Sequence, residues 1–198
     1  LRKWFGPSSR EVWRTVSEEL GGKYSGGWGG AKVQVSHGEW TVTLDSYVVP
    51  VGKSFMHFTR MRAPYVNPEG FRFTIYRRTI FSGLGTWLGM QDISIGDPQF
   101  DEDFVVKATH EDRARTLFAS PELRALIAGQ RSLHLTVKDD EGCFFGSFPD
   151  GVDELYFAVP GIIKDPERLK ALYELFAETL DRLCAIGSAY ERNPQVTL

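Results

Sequence analysis

The chain has 198 residues, 42% hydrophobic, 25% charged and 13% aromatic, enough apolar surface for one substantial core, which excludes a disordered chain, a coiled coil and a collagen-like repeat. A formal net charge of −3 and an isoelectric point near 5.9 exclude the basic excess of a general nucleic-acid binder. One domain spanning 1–198 is the expectation.

Ser8, Ser9, Arg10 and Glu11 form a capping box, so a helix starts there. Val12, Trp13, Val16 and Leu20 recur at helical spacing, and Gly21-Gly22 ends it. The glycines from Gly26 to Gly30 around Trp28 read as a loop. From Ala31 to Arg78 the pattern changes to period two: Trp40, Val42 and Leu44 alternate with Thr41, Thr43 and Asp45, and Phe71, Phe73 and Ile75 alternate with Arg72 and Thr74. This predicts four antiparallel strands near 32–36, 40–49, 54–63 and 71–78, joined locally as a meander by turns at Ser36–Glu39 and Asn67–Gly70. A short strand follows at Phe104–Val106, then a helix capped by Thr109 and running to Phe118. A second helix is opened by Ser120-Pro121 and closed by Gly129.

Leu133, Leu135 and Val137 alternate as a strand. Asp139–Gly142 reads as a hairpin tip leading into Cys143–Phe148, and a further strand covers Glu154–Val159. The last helix is capped by Asp165, carries Pro166 at its first position and ends at Gly187; Leu169, Leu172, Tyr173, Phe176, Leu180 and Leu183 form one apolar stripe that must pack on a sheet. The fold class is therefore α+β: antiparallel sheet with helices on one side and a long C-terminal helix. The element order is compatible with a weak internal duplication of 8–90 and 91–190, although the halves do not align residue by residue.

Asp97–Val106, Ala114–Leu126 and Val152–Phe157 with the last helix resemble a bacterial protein family classed as a domain of unknown function. That resemblance implies a bacterial cytoplasmic or membrane-associated protein and brings no activity, cofactor or catalytic residue. Cys143 and Cys184 share no metal-ligand or disulfide spacing, which fits a reducing compartment. No apolar run reaches the roughly 18 residues of a membrane span, and no signal-peptide pattern is present. The expected location is cytoplasmic, with peripheral membrane contact open.

The chemistry-bearing motifs are sparse. Asp97, Asp101, Glu102 and Asp103 lack the glycine and terminal glutamate of a calcium loop and read as a solvated acidic loop. His37, His57, His110 and His134 form no ligand pair. His57 and His134 lie on strands and could meet, but no nucleophile signature accompanies them. Gly83, Gly85 and Gly89 miss the dinucleotide spacing, and the Gly26–Gly30 loop is not a phosphate loop. Neither a catalytic residue, a metal nor a cofactor is expected.

Charge distribution is the stronger signal. Between Ser46 and Gln91 the basic residues are Lys53, Arg60, Arg62, Arg72, Arg77 and Arg78 against Glu69 alone, and Asp92–Asp112 reverses the sign. Arg60 and Arg62 share a strand face, with Arg72 expected on the next strand, so they are candidates for binding a phosphate or carboxylate. The alternative is a solvent-facing sheet whose aliphatic stems cover apolar surface. Arg77 and Arg78 precede an uncharged stretch in which Phe81, Leu84, Trp87 and Leu88 make a candidate interaction patch; a loop folded over the core explains the same residues. Two functions follow. One is a non-catalytic binding domain that contacts an anionic protein partner or membrane surface, with a dimer open. The other is a small-ligand carrier or an enzyme with a pocket between sheet and last helix.

Overall fold

A computed structural model describes residues 6–27, 30–80, 91–139, 148–196 and 198. Helix α1 (Ser9–Glu19) opens with the expected capping box, the Ser8 hydroxyl accepting from the Glu11 amide while the Glu11 carboxylate accepts from the Ser8 amide. The strands are β1 (Lys23–Gly27), β2 (Gly30–His37), β3 (Trp40–Val51), β4 (Ser54–Val66), β5 (Phe73–Arg77), β6 (Gln91–Ile93), β7 (Phe104–Ala108), β8 (His134–Lys138) and β9 (Val152–Pro160). The remaining helices are α2 (Pro98–Asp103), α3 (Glu111–Phe118), α4 (Pro121–Ala128) and α5 (Pro166–Ala185). The strands form one antiparallel sheet in the order β1-β2-β3-β4-β9-β8-β5-β7-β6.

Two transverse rows show why this sheet has one inside. Tyr24, Val33, Leu44, Met61, Phe157, Leu135, Ile75, Val106 and Ile93 are register partners from strand to strand, all apolar or aromatic. One residue along every strand, the row is Lys23, Gln34, Thr43, Arg62, Tyr156, Thr136, Thr74, Lys107 and Asp92. Successive side chains point to opposite faces, so the helices have only the first row's face to pack on. Val12, Trp13 and Val16 of α1, Leu117 and Phe118 of α3, Leu123 and Ile127 of α4 and the α5 stripe, which also includes Leu175, are buried in one cluster with that face. The α+β architecture with a long C-terminal helix is as the patterning indicates.

Four local expectations need correction. Gly26, Gly27 and Gly30, expected in a loop, belong to strands: the first two end the edge strand β1 and Gly30 opens β2, and since their ladder needs only backbone, glycines are tolerated where no side chain has to pack. The acidic loop contains α2, capped by Asp97, whose carboxylate accepts from the Phe100 amide. His110, not Thr109, occupies the cap position of α3; the Thr109 hydroxyl bonds the Arg72 backbone instead. Finally, the meander stops at β4. Its next neighbour is β9, and β5 lies between β8 and β7. Trp28, the Asp140–Gly142 part of the proposed hairpin tip and Cys143 lie outside the described residues.

The crossing from β4 to β5 is held by a buried polar knot. The Asn67 side-chain amide donates to Asp153 at 2.6 Å and to the Phe71 carbonyl at 2.9 Å, and the Asn67 amide oxygen accepts from the Phe71 amide at 3.2 Å. Arg72 forks onto Asp153 with two contacts of 3.2 Å and also binds Asp139. Asp153 is 4% exposed, so its charge relies on these donors. Asp153→Ala strands Asn67 and Arg72 and is expected to lower unfolding stability by about 3 kcal/mol in urea melts; a loss under about 0.5 kcal/mol, the ordinary surface value, would show the knot to be dispensable.

Candidate functional site

β3 and β4 contain 12 and 13 residues and outrun their neighbours. β2 pairs with β3 only as far as Val33↔Leu44, and β9 reaches β4 only at Thr59↔Val159. Beyond this point the pairs from Tyr47↔Phe58 to Val51↔Ser54 continue as a two-stranded arm, about 17 Å long at the usual strand rise. Gly52, at φ +60°, supplies the left-handed residue of its turn.

Alternation fails on this arm. Val48, Pro50 and Phe55 project from one face, and Val49, Val51 and Met56 from the other, above the stacked rings of Tyr47 and Phe58 at 5.1 Å. Val48 is 47% exposed, Val51 51%, Phe55 73% and Met56 41%. Tyr190 is the remaining exposed large hydrophobic residue among those described. Lys53 is exposed in the turn, and no carboxylate occurs between Ser46 and Val66. His57, opposite Val48, and Ser54, opposite Val51, are polar; a cluster of exposed apolar side chains on both faces of one projection marks a contact surface rather than scattered surface hydrophobics.

At the root of the arm, on the polar sheet face, Arg60 and Arg62 converge on one carboxylate. Arg60 Nε and Nη2 donate to Asp45 Oδ1 and Oδ2 at 2.8 and 2.9 Å, and Arg62 Nη2 donates to Oδ2 at 2.8 Å. Burial would raise the Asp45 pKa, but the Arg60 hydrogen bond and the Arg62 charge outweigh it and hold the carboxyl below its usual range. The Arg60 guanidinium lies 5.0 Å from the Tyr47 ring centre, and Lys138 Nζ lies 3.4 Å from that of Tyr156. Burial and the Tyr47 hydroxyl push the Tyr156 phenol well up, so it remains protonated.

The other candidate residues lie elsewhere. Arg72 is tied to Asp139 and Asp153 in the knot, away from Arg60 and Arg62, because β9 rather than β5 adjoins β4. Arg77 Nη2 donates to the carbonyls of Ala128 and Gln130 at 2.9 and 3.0 Å, and its guanidinium lies 4.6 Å from the Phe104 ring centre. Arg78 donates to the Asp101, Glu102 and Phe104 carbonyls. Each of these arginines thus satisfies a helix C-terminus, of α4 and α2 respectively. Phe81, Leu84, Trp87 and Leu88 lie outside the described residues.

No protein-family model matches the chain, and no curated protein matches its sequence. Among solved structures, the crystal structure of the mycobacterial trehalose monomycolate transport factor A, TtfA, is similar at a TM-score of 0.48 and 10% identity, covering 88% of this chain and 94% of that one. A likeness this distant carries no argument about function.

Where a pocket between sheet and last helix is expected, the described residues are packed: Leu172, Leu175, Phe176, Leu180 and Leu183 are fully buried, and the gap lined by Val16, Val33, Leu44, Met61 and Leu169 measures about 10 Å³, no more than one water requires. A polar cavity of about 390 Å³ lies instead on the opposite face, between Gln34, Thr41 and Thr43 on one side and Asn193, Val196 and Leu198 on the other. His57 and His134 do not meet, since β9 separates their strands and His57 is on the arm. No helix among the described residues is long and apolar enough to cross a membrane. The arm itself was missed in the sequence. Its available signal was the loss of alternation at Tyr47-Val48-Val49, a pattern that reads by default as a strand buried on both faces.

Two outcomes follow. Burial, with Lys138 adding to it, pushes His134 down from 6.5 to about 4. Between those values the unfolded chain binds more protons, so this group's contribution makes stability fall as pH drops from 6.5 towards 4. His134→Gln should flatten that limb of the pH–stability curve, and a wild-type His134 NMR titration midpoint near 6.5 would contradict the assignment. Arg77→Glu should cost about 2 kcal/mol in thermal melts by stranding the α4 carbonyls; an unchanged melting temperature would show that the capping contacts contribute nothing.

Proposed function

We propose that the chain is a non-catalytic binding module that docks on an anionic membrane surface through the β3–β4 arm. The observation that carries this reading is Phe55, 73% exposed on an arm that carries exposed apolar side chains on both faces, with His57 and Ser54 as their polar register partners, and that is free of carboxylates from Ser46 to Val66. A flat protein partner covers one face of a ribbon, whereas a lipid interface surrounds both. Strand addition by a partner is disfavoured along β3, because Pro50 has no N–H to offer. The Gly161 amide donates to the His57 carbonyl at 2.7 Å; the backbone edges of the arm beyond that bond limit its depth, since unpaired groups are costly in hydrocarbon. The arm therefore sits at the boundary of headgroups and acyl chains, with Lys53 at headgroup level, where one cation contributes about 1 kcal/mol near an anionic leaflet. Because Arg77 and Arg78 are occupied by backbone carbonyls, this contact is assigned to the arm rather than to the segment that follows them.

Co-sedimentation with phosphatidylglycerol vesicles, against neutral phosphatidylcholine vesicles, tests this proposal. Wild-type chain should bind the anionic vesicles more tightly than the neutral ones and lose that preference, though not all binding, at high salt. Phe55→Ser combined with Val51→Ser should weaken binding at least about tenfold, the equivalent of ~1.4 kcal/mol, while melting stays within about 0.5 kcal/mol as for exposed sites. Lys53→Glu should weaken binding and flatten its salt dependence. Absence of wild-type binding, or equal binding by the serine variant, overturns the reading; a concentration-dependent dimer lost in the serine variant assigns the arm to a second copy instead.

A further inference from the structure

We infer that Arg60 and Arg62, held by Asp45 at the root of the arm, form a seat for one singly charged phosphate-ester group. Three donor contacts satisfy the Asp45 carboxylate, yet each guanidinium keeps its Nη1 group outside any hydrogen bond among the described residues. The two side chains are 24% and 14% exposed, so the pair faces partly open space. Arg60, Arg62 and Lys138 carry three positive charges against Asp45 and Glu154, and Glu154 is Lys138's register partner. The face is left with one positive charge, which a monoanion balances.

The spacing selects the chemistry. Residues two apart on one strand face are about 7 Å apart. A phosphodiester presents two charged oxygens on a tetrahedral centre, with two ester oxygens beside them, and can accept from the remaining N–H groups of both guanidiniums at that separation. Tyr156, Arg62's register partner, is engaged with the Tyr47 hydroxyl and stays neutral, so it does not repel the anion. Asp45 has a positioning role, since its two oxygens hold both guanidiniums on the same side. The seat is independent of the arm's lipid contact. Its ligand is a phosphodiester from a lipid headgroup or a free phosphate ester.

The test titrates the full chain with dimethyl phosphate, a monoanionic diester, at constant ionic strength against chloride, following the arginine Nε–H resonances. Saturable shifts confined to Arg60 and Arg62 are expected. Arg62→Gln leaves the two-contact Arg60–Asp45 pair to maintain the fold and should weaken the response at least tenfold. The arm variant with serine at 51 and 55 should retain it even if vesicle binding is lost. Short-chain phosphatidylglycerol below its micellar concentration distinguishes the sources: tighter binding than dimethyl phosphate assigns the seat to a headgroup, and equal or weaker binding to a free ester. The proposal is overturned if wild-type chain shows no saturable shift, if chloride produces the same shift, or if folded Arg62→Gln responds as wild type does. If Arg62→Gln does not fold, the wild-type resonances alone decide between these outcomes.

Discussion

A single-residue register governs this molecule. Every strand pairing places apolar residues opposite apolar ones, so Val33, Leu44, Met61, Phe157, Leu135 and Ile75 line one continuous face. A slip of one position on any strand would turn Thr43, Arg62 or Tyr156 into the helical layer and expose its hydrophobic neighbours. The helices have no second surface available, which is why all their buried stripes meet in one cluster. Strand order can depart from chain order without breaking this rule, because alternation constrains faces, not neighbours.

The arm follows from the same constraint by its absence. As long as β3 and β4 have β2 and β9 beside them and helices below, their residues alternate; where the neighbours end, alternation ends too, with Val48 on one face and Val49 and Val51 on the other. The arm's root is fixed to the body. The Thr59 hydroxyl donates to the Gly161 carbonyl at 2.8 Å and accepts from the Ile163 amide at 2.9 Å, while Trp13 Nε1 of α1 donates to the Ile163 carbonyl at 2.9 Å. The result is an apolar projection on a rigid base, an arrangement that concentrates contact energy in a few side chains while leaving the core unaffected.

The basic half of the chain shows how charge counting can mislead. Arg72, Arg77 and Arg78 contribute to the apparent positive segment, but Arg72 has two carboxylates and Arg77 and Arg78 are bound to carbonyls at helix ends. Arg60 and Arg62 differ in sharing one carboxylate between two cations. A guanidinium has five N–H donors, so its availability depends on how many are already engaged rather than on its formal charge.

The sequence by itself determined the elements whose cause is local. The Ser8, Ser120 and Asp165 caps, the α5 stripe and the alternation at Trp40–Asp45 depend on neighbours a few residues away, and all appear as expected. It also placed Arg60 and Arg62 together, since residues two apart on a strand share a face. Only the tertiary structure decided that β9 and β8 lie between β4 and β5, that Asp45 joins the two arginines, that Arg72 belongs to the Asn67–Asp153 knot, and that Phe55 stands outside the core. Each of these depends on which distant strand lies alongside, and on where that strand ends. A run such as Tyr47–Val51 reads identically whether covered on both faces or on neither, because periodicity records that a face is undifferentiated and not what surrounds it.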